Sequence, residues 1–207
     1  YFLLDKELFP EIKVYGSDVK HVSVCREYKL TDYEQEIPLW RYLEMKSQSR
    51  KIDHWGLTLN YINIDELKKI LVLDAFLANS DRHLSNIVVI VRGEEIRLMP
   101  PFDFGASLGS ILSYNEIKDR KGLGKSKPFK ESHDRQLILV NRYSKYKIPI
   151  RYNKVEFIRE VLSRVEEVLS LMPKRRADVI KELLCERIDY LDSLIIWKDE
   201  KEELMWE

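Results

Sequence analysis

The stretch Asn79-Ser80-Asp81-Arg82-His83-Leu84-Ser85-Asn86, followed a little later by Phe102-Asp103-Phe104-Gly105, decides how the rest of the chain is read. Between them lies Ile87–Val91, a run of β-branched residues. Arg92-Gly93-Glu94-Glu95 then makes a turn, and Ile96–Met99 returns until Pro100-Pro101 stops it. A short β-branched run bounded by polar residues reads as a buried strand, so the interval predicts a β-hairpin. If the turn centres between residues 93 and 94, antiparallel partners sum to 187 and Asn86 faces Pro101. Asp103 lies two positions beyond, within the ~7–8 Å diagonal reach of neighbouring strands. The hairpin therefore brings an amide and a carboxylate to one end of a stiff unit, with Asp81 on the loop that precedes it.

Three oxygen-bearing side chains so placed suit phosphoryl transfer. Mg²⁺ prefers hard oxygen ligands, takes one or two from protein, and completes its shell with phosphate and water. Asn86 and Asp103 can supply the protein's share, leaving Asp81 to accept or orient the proton of an attacking hydroxyl. Such chemistry asks for positioning and charge neutralisation more than covalent work. An Asp with Asn five positions on is by itself a common accident in a chain this long; an Asp-Phe-Gly tripeptide behind a hairpin makes the combination informative. His83 and Arg82 gain interest only from their place between Asp81 and Asn86; elsewhere each reads as an ordinary surface or core residue. Asp74 falls on an apolar stripe, where an unpaired carboxylate is costly. Its expected role is support, accepting hydrogen bonds from the backbone of the loop at 79–86.

Outward from this block the chain is mainly helical. Upstream, Ile12–Tyr15 and Val22–Tyr28 read as short strands around a Gly16-Ser17-Asp18 turn, and a helical pattern starts at Glu34 with Leu39, Trp40, Tyr42 and Leu43. The best-defined helix has Asp65 and Glu66 in its first turn, carries Leu67, Ile70, Leu71, Phe76 and Leu77 on one face, and ends at Asn79-Ser80. Downstream, residues 110–132 are polar and mostly without period. Three helices follow: Gln136–Tyr143, Asn153–Leu171 with Asn153 and Glu156 in a capping-box arrangement, and Lys174–Lys198. Between Tyr114 and Lys130, Lys118, Arg120, Lys121, Lys125, Lys127 and Lys130 outnumber Glu116 and Asp119, a net of +4. That segment reads either as a solvated loop or as one that orders around substrate or phosphate, with Ser126 and Lys127 its candidate substrate or activation residues. The tail 199–207 carries a net of −4.

Composition narrows the classes. The 207 residues hold 35 basic and 35 acidic side chains, with 44% hydrophobic and 34% charged, which is globular usage. Zero net charge removes any global drive toward nucleic acid, and no apolar run reaches the ~20 residues a bilayer span needs. Two distant cysteines, Cys25 and Cys185, fit neither a disulfide framework nor a zinc site, and a reducing cytoplasm is expected. The start at Tyr1 reads as part of a longer protein.

With these residues in view, the chain resembles the HipA-like kinases, particularly the small CtkA-type proteins. The resemblance runs over about residues 20–140. It rests on Val22–Tyr28, on Asp74 with Asn79–His83 and Asn86, on Phe102–Leu108, and on Ser126-Lys127-Pro128-Phe129 with Gln136-Leu137. It implies a protein-kinase-like α+β fold with residues 1–28 as terminal strands of a small lobe and hinge, 29–198 as a helical C-terminal lobe, and 199–207 as an acidic tail. It further implies ATP and Mg²⁺, phosphorylation of protein serine or threonine, and for some members a toxin role under a partner antitoxin. Position by position, Asp81 is similar to the catalytic aspartate with His83 beside it, Asn86 and Asp103 to the metal ligands, and Arg26, Glu27 and Tyr28 to the hinge that meets adenine. The Asp-Arg-His-x-x-Asn form is equally similar to phosphoinositide kinases, so a lipid acceptor stands as the alternative. Upstream of Arg26 only Gly16 and the lysines Lys6, Lys13 and Lys20 are available, which leaves no recognisable nucleotide loop or strand lysine. A missing or partner-supplied small lobe, or a non-catalytic pseudokinase that binds a protein, would each explain that.

Overall fold

The computed structural model describes residues 12–17, 20–25, 30–150 and 152–198. Two strands, β1 (Ile12–Ser17) and β2 (Lys20–Cys25), pair antiparallel with Ile12 opposite Cys25 and Ser17 opposite Lys20. Gly16 and Ser17 thus belong to the strand and not to the turn expected there. The expected hinge at Arg26, Glu27 and Tyr28 lies outside the described residues, as does the tail 199–207.

A three-stranded antiparallel sheet carries the hairpin. Its strands β3 (Gln35–Pro38), β4 (Val88–Arg92) and β5 (Glu95–Leu98) lie in that order. Val89 pairs with Leu98, Ile90 with Arg97 and Arg92 with Glu95, the register anticipated from the turn. Residues 35–38, expected to be helical, are instead a strand against β4. Ile37 is the only aliphatic side chain among them besides Pro38, so no helical stripe forms, and the residue before a proline is pushed out of the α region. Helix α1 (Leu39–Lys46) starts directly after Pro38, and its first N–H, on Leu39, reaches the Ile87 carbonyl at 2.8 Å.

Helix α2 (His54–Tyr61) is absent from the sequence reading: it is only two turns long, holds Gly56, and has Asp53 as N-cap, accepting from the Gly56 N–H at 3.0 Å. Helix α3 (Ile64–Phe76) is the central element, capped by Asn63 and buried along Leu67, Ile70, Leu71, Val72, Ala75 and Phe76. It packs on α5 (His133–Asn141) and on α7 (Lys174–Leu191), which also packs on α6 (Lys154–Ser170). The capping box of Asn153 and Glu156 is present as expected. A short α4 (Tyr114–Lys118) interrupts the stretch expected to lack structure. The last helix stops at Leu191 and not at Lys198, because residues 195–196 form β7 (Ile195–Ile196), parallel to β6 (Ile148–Pro149). That turn brings Trp197 against Phe157, with ring centroids 5.5 Å apart. Trp40, read as part of the helical pattern with Leu39, Tyr42 and Leu43, is 40% exposed while those three are buried. Lys68 is buried and donates to the carbonyls of Ser144 and Tyr146 at 3.4 and 2.5 Å, closing the chain after α5 onto α3. No helix among the described residues is long and apolar enough to cross a membrane.

Candidate active site

The site forms where α3 ends. Ala78 adopts left-handed backbone, φ 48°, while its N–H reaches the Ala75 carbonyl and the Asn79 N–H reaches the Asp74 carbonyl at 2.8 Å. This is the Schellman arrangement, which stops the helix and turns the chain sharply into the loop that bears Asp81. The helix therefore ends slightly earlier than the sequence pattern suggested. The Leu108 N–H donates to the Leu77 carbonyl at 2.7 Å, and the Ser80 N–H to Ala106 at 3.4 Å, so the segment after Asp103 is tied to the same corner.

Asp74 and Arg82 organise this corner. Arg82 is fully buried, and its guanidinium grips the Asp74 carboxylate through Nε at 2.8 Å and Nη2 at 3.0 Å. Its remaining Nη1 donates to the Asn86 carbonyl at 3.1 Å and to the Phe102 carbonyl. The Phe104 ring covers the guanidinium, 4.9 Å from centroid to Cζ. One side chain thus links the helix, the loop, and both ends of the hairpin. Asn79 adds a second link: its Nδ2 donates to Asp74 at 2.9 Å, and its Oδ1 accepts from the Asp81 N–H at 3.3 Å. Asp74 is 1% exposed and not partly exposed on its helix, and it supports the loop through these two side chains rather than by accepting backbone N–H groups. Burial pushes its carboxyl above the usual range, opposed by the hydrogen bonds and charge of Arg82 and by Asn79.

On this frame Asn86 and Asp103 meet. Asn86 Nδ2 donates to Asp103 Oδ2 at 2.7 Å and to the Asp81 carbonyl at 3.5 Å. The amide is thereby oriented, with its own Oδ1 left for another partner. Asp103 sits at φ 57°, a left-handed conformation that aspartate tolerates better than most residues, and its side chain is exposed. A Cβ placed on Gly105 would lie 3.6 Å from Asp103 Oδ1, so a glycine leaves the approach to the carboxylate's second oxygen uncrowded on that side. The Asn86 amide and the Asp103 carboxylate, in contact with each other, carry the oxygen types that fit Mg²⁺ as the protein's part of its shell. Among the described residues no group of three or more His, Cys, Asp or Glu side chains is placed to hold a metal, so such an ion would draw the rest of its ligands from phosphate and water.

Asp81 is half-exposed, and its Oδ1 accepts from Lys127 Nζ, which reaches back from the basic segment. His83 is half-buried; its carbonyl accepts from the Asn86 N–H at 2.8 Å, while its imidazole takes no part in the hydrogen-bonded cluster among the described residues. Ser126, the candidate substrate or activation residue, is half-buried, with Oγ 3.5 Å from Gln136 Oε1. Sequence reasoning passed over Arg82 and Asn79 as structural residues. Asp74 on an apolar stripe was the available signal: a buried carboxylate demands a buried cation, and Arg82 is the nearest one downstream whose neighbours carry chemistry.

The basic segment is held down rather than loose. Arg176 on α7 donates to the carbonyls of Gly109 at 2.8 Å and Leu112 at 3.1 Å, Arg187 donates to Leu123 at 3.2 Å, and Arg120 pairs with Glu186. The cluster of Asp81, Asn86 and Asp103 therefore has a structured wall along residues 105–130.

No curated protein and no solved structure matches the chain. A family profile does match: that of phosphatidylinositol 3- and 4-kinase, over residues 5–176. The match names this family and not the HipA-like one that the sequence blocks resemble, and it supports a kinase-type catalytic domain with phosphotransferase activity. With loop, hairpin and Asp-Phe-Gly all inside the matched span, the chain belongs to the phosphatidylinositol 3- and 4-kinase family.

Proposed function

We propose that the protein transfers the γ-phosphoryl group of ATP to a hydroxyl of a phosphoinositide-type lipid. The observation that carries this is the Asn86–Asp103 contact at 2.7 Å beside Asp81, held by the buried Arg82. In this reading Asp81 accepts the acceptor's proton while a new bond forms between the acceptor oxygen and phosphorus. The bond from phosphorus to the departing ADP oxygen breaks in the same step. Asn86 and Asp103 are the residues that would hold Mg²⁺, which supplies neutralisation of phosphate charge when bound. Arg82 and Asn79 keep Asp81, Asn86 and Asp103 at fixed separations, so little reorganisation is left for the reaction itself.

A lipid acceptor is supported by the family match and by the basic wall. Residues 114–130 carry a net of +4 and border the site through Lys127, which suits a phosphorylated headgroup. A second reading, protein serine or threonine as acceptor, draws on the Ser126–Phe129 and Gln136 block that resembles HipA-like kinases.

The test is the full-length protein with ATP and Mg²⁺, offered phosphatidylinositol vesicles in one arm and protein acceptors in the other. Labelled lipid with unlabelled protein is the expected result, and the reverse selects the second reading. Asp81→Ala and Asp103→Ala are expected to abolish transfer while the proteins stay folded by circular dichroism. Undiminished transfer in either variant refutes the mechanism.

A further inference from the structure

Lys127 is the exposed end of a turn that is otherwise locked. Phe129 and Lys130 both occupy left-handed backbone, φ 54° and 58°, although neither is glycine. Such residues persist only where their surroundings over-determine them, and they gather at functional sites. The surroundings do so in this turn. Gln136, 1% exposed, donates to the carbonyls of Pro128 at 2.6 Å and Glu131 at 2.9 Å. The Phe129 ring stands edge-on to Trp55, with centroids 4.8 Å apart, and the His133 N–H closes the base of the segment on the Gly124 carbonyl at 3.2 Å.

What this frame presents is the Lys127 ammonium, on Asp81 Oδ1. Both side chains are open to solvent, 56% and 41% exposed, and an ion pair so placed adds little to stability. Holding the fold together is therefore not a sufficient reason for a strained, buried-amide-braced turn behind it. An ammonium has three donors; one is used on Asp81, leaving two for another partner beside the same carboxylate.

The geometry points to Lys127 as a residue that grips the phosphoryl group in transfer, bridging it to Asp81. This rests on the phosphotransferase reading above and adds a second contact to the same step. As the acceptor oxygen bonds phosphorus and the ADP oxygen leaves, the hydroxyl proton passes to Asp81, while Lys127 keeps its own protons and balances the negative charge on the phosphoryl oxygens. The lysine comes from the segment that walls the acceptor side, so that wall and the reacting groups meet at one residue.

The test compares the full-length wild type with Lys127→Met and Lys127→Arg. It measures equilibrium binding of ADP and of a non-hydrolysable ATP analogue with Mg²⁺, alongside transfer kinetics. Lys127→Met is expected to cut the preference for the triphosphate over ADP by about tenfold. It should also lower kcat by about a hundredfold with the thermal midpoint unchanged, and Lys127→Arg should recover part of both. Unchanged preference and unchanged kcat in Lys127→Met overturn the proposal. So does a parallel loss of both nucleotides with a lowered midpoint, which would make the lysine purely structural. If the wild type transfers no phosphate yet its triphosphate preference depends on Lys127, the phosphotransferase reading falls and the lysine's phosphate contact stands. A wild type that binds neither nucleotide overturns both.

Discussion

Replacing Asp74 by leucine removes the only carboxylate that Arg82 meets among the described residues, and the two oxygens lost were bonded at 2.8 and 3.0 Å to a side chain with no exposure. A lone guanidinium cannot shed its charge, so Asp74→Leu should cost about 3–5 kcal/mol, the usual effect of stripping one partner from a buried pair. For a chain of this size that corresponds to roughly 6–20 °C in the unfolding midpoint. Arg82→Met leaves the opposite orphan, and its behaviour should differ. Burial already biases the Asp74 carboxyl toward its protonated form. A carboxyl raised in the folded state binds its proton more tightly there than in the unfolded chain, so acid favours folding. The Arg82→Met loss should therefore shrink as pH falls through the weak-acid range, whereas the Asp74→Leu loss should not. The double variant replaces the pair by apolar side chains and should recover most of the lost stability. The Asn86 and Phe102 carbonyls would still miss their donor, at about 0.5–1.5 kcal/mol each. Transfer should stay abolished in the double variant, because the Arg82 contacts that join the loop to both ends of the hairpin are then gone. Urea titrations of the four proteins at two pH values give the coupling energy. A single-variant loss below about 1 kcal/mol, or a double variant no better than the sum of the singles, would refute the view that Asp74 and Arg82 act as one unit.

Acid should weaken the fold through His133. Burial, aided by Arg187, lowers its imidazole from 6.5 to about 4 against the opposing pull of Asp134, and neither ring nitrogen has a hydrogen-bond partner among the described residues. The unfolded chain then binds the extra proton, so this contribution is whole above about pH 6.5 and lost as pH falls toward 4, about 3 kcal/mol in all. His133→Leu should flatten that part of the stability curve in denaturant melts; an unchanged slope counts against it. Gly109→Ala should destabilise, since its φ is +68° and a Cβ would lie 2.7 Å from Ile117 Cγ1 and 3.0 Å from Cδ1. A loss of about 1–3 kcal/mol is expected by thermal melting, and a neutral result would show that the turn yields. Phe157→Ala should cost about 3–5 kcal/mol, because the ring is fully buried against Phe76 and Trp197; a loss below 1.5 kcal/mol would indicate collapse of the site around the gap.

The elements legible in the sequence were those whose cause is local. The β-branched run at 87–91 and the glycine at 93 fixed one hairpin register, and Asn153 with Glu156 fixed a helix start. That register alone puts Asp103 within diagonal reach of Asn86, and the structure has the two in direct contact. Elements that depend on distant partners stayed hidden. Gln35–Pro38 is a strand only because β4 lies beside it, and the two-residue strands β6 and β7 exist only as each other's partner. The same distinction holds inside the site. Asp81 and Asn86 announce themselves by residue type and spacing, but Arg82 looks like any surface arginine until its carboxylate, eight residues back, is seen to be buried. The pairing of Lys127 with Asp81 depends on left-handed backbone at Phe129 and Lys130, which no propensity favours there.

The sheet that carries the hairpin also has two outer borders, and both are blunted against a visiting strand. On one side the four residues of β3 follow Glu34, include Glu36 and finish on Pro38, which has no N–H to offer a newcomer. On the other, the Leu98 N–H of β5 is already taken by the Glu66 carboxylate at 3.1 Å. Each border of the sheet thus withholds one N–H from a copy of this chain at high concentration, which lowers the hairpin's liability to stack into fibres.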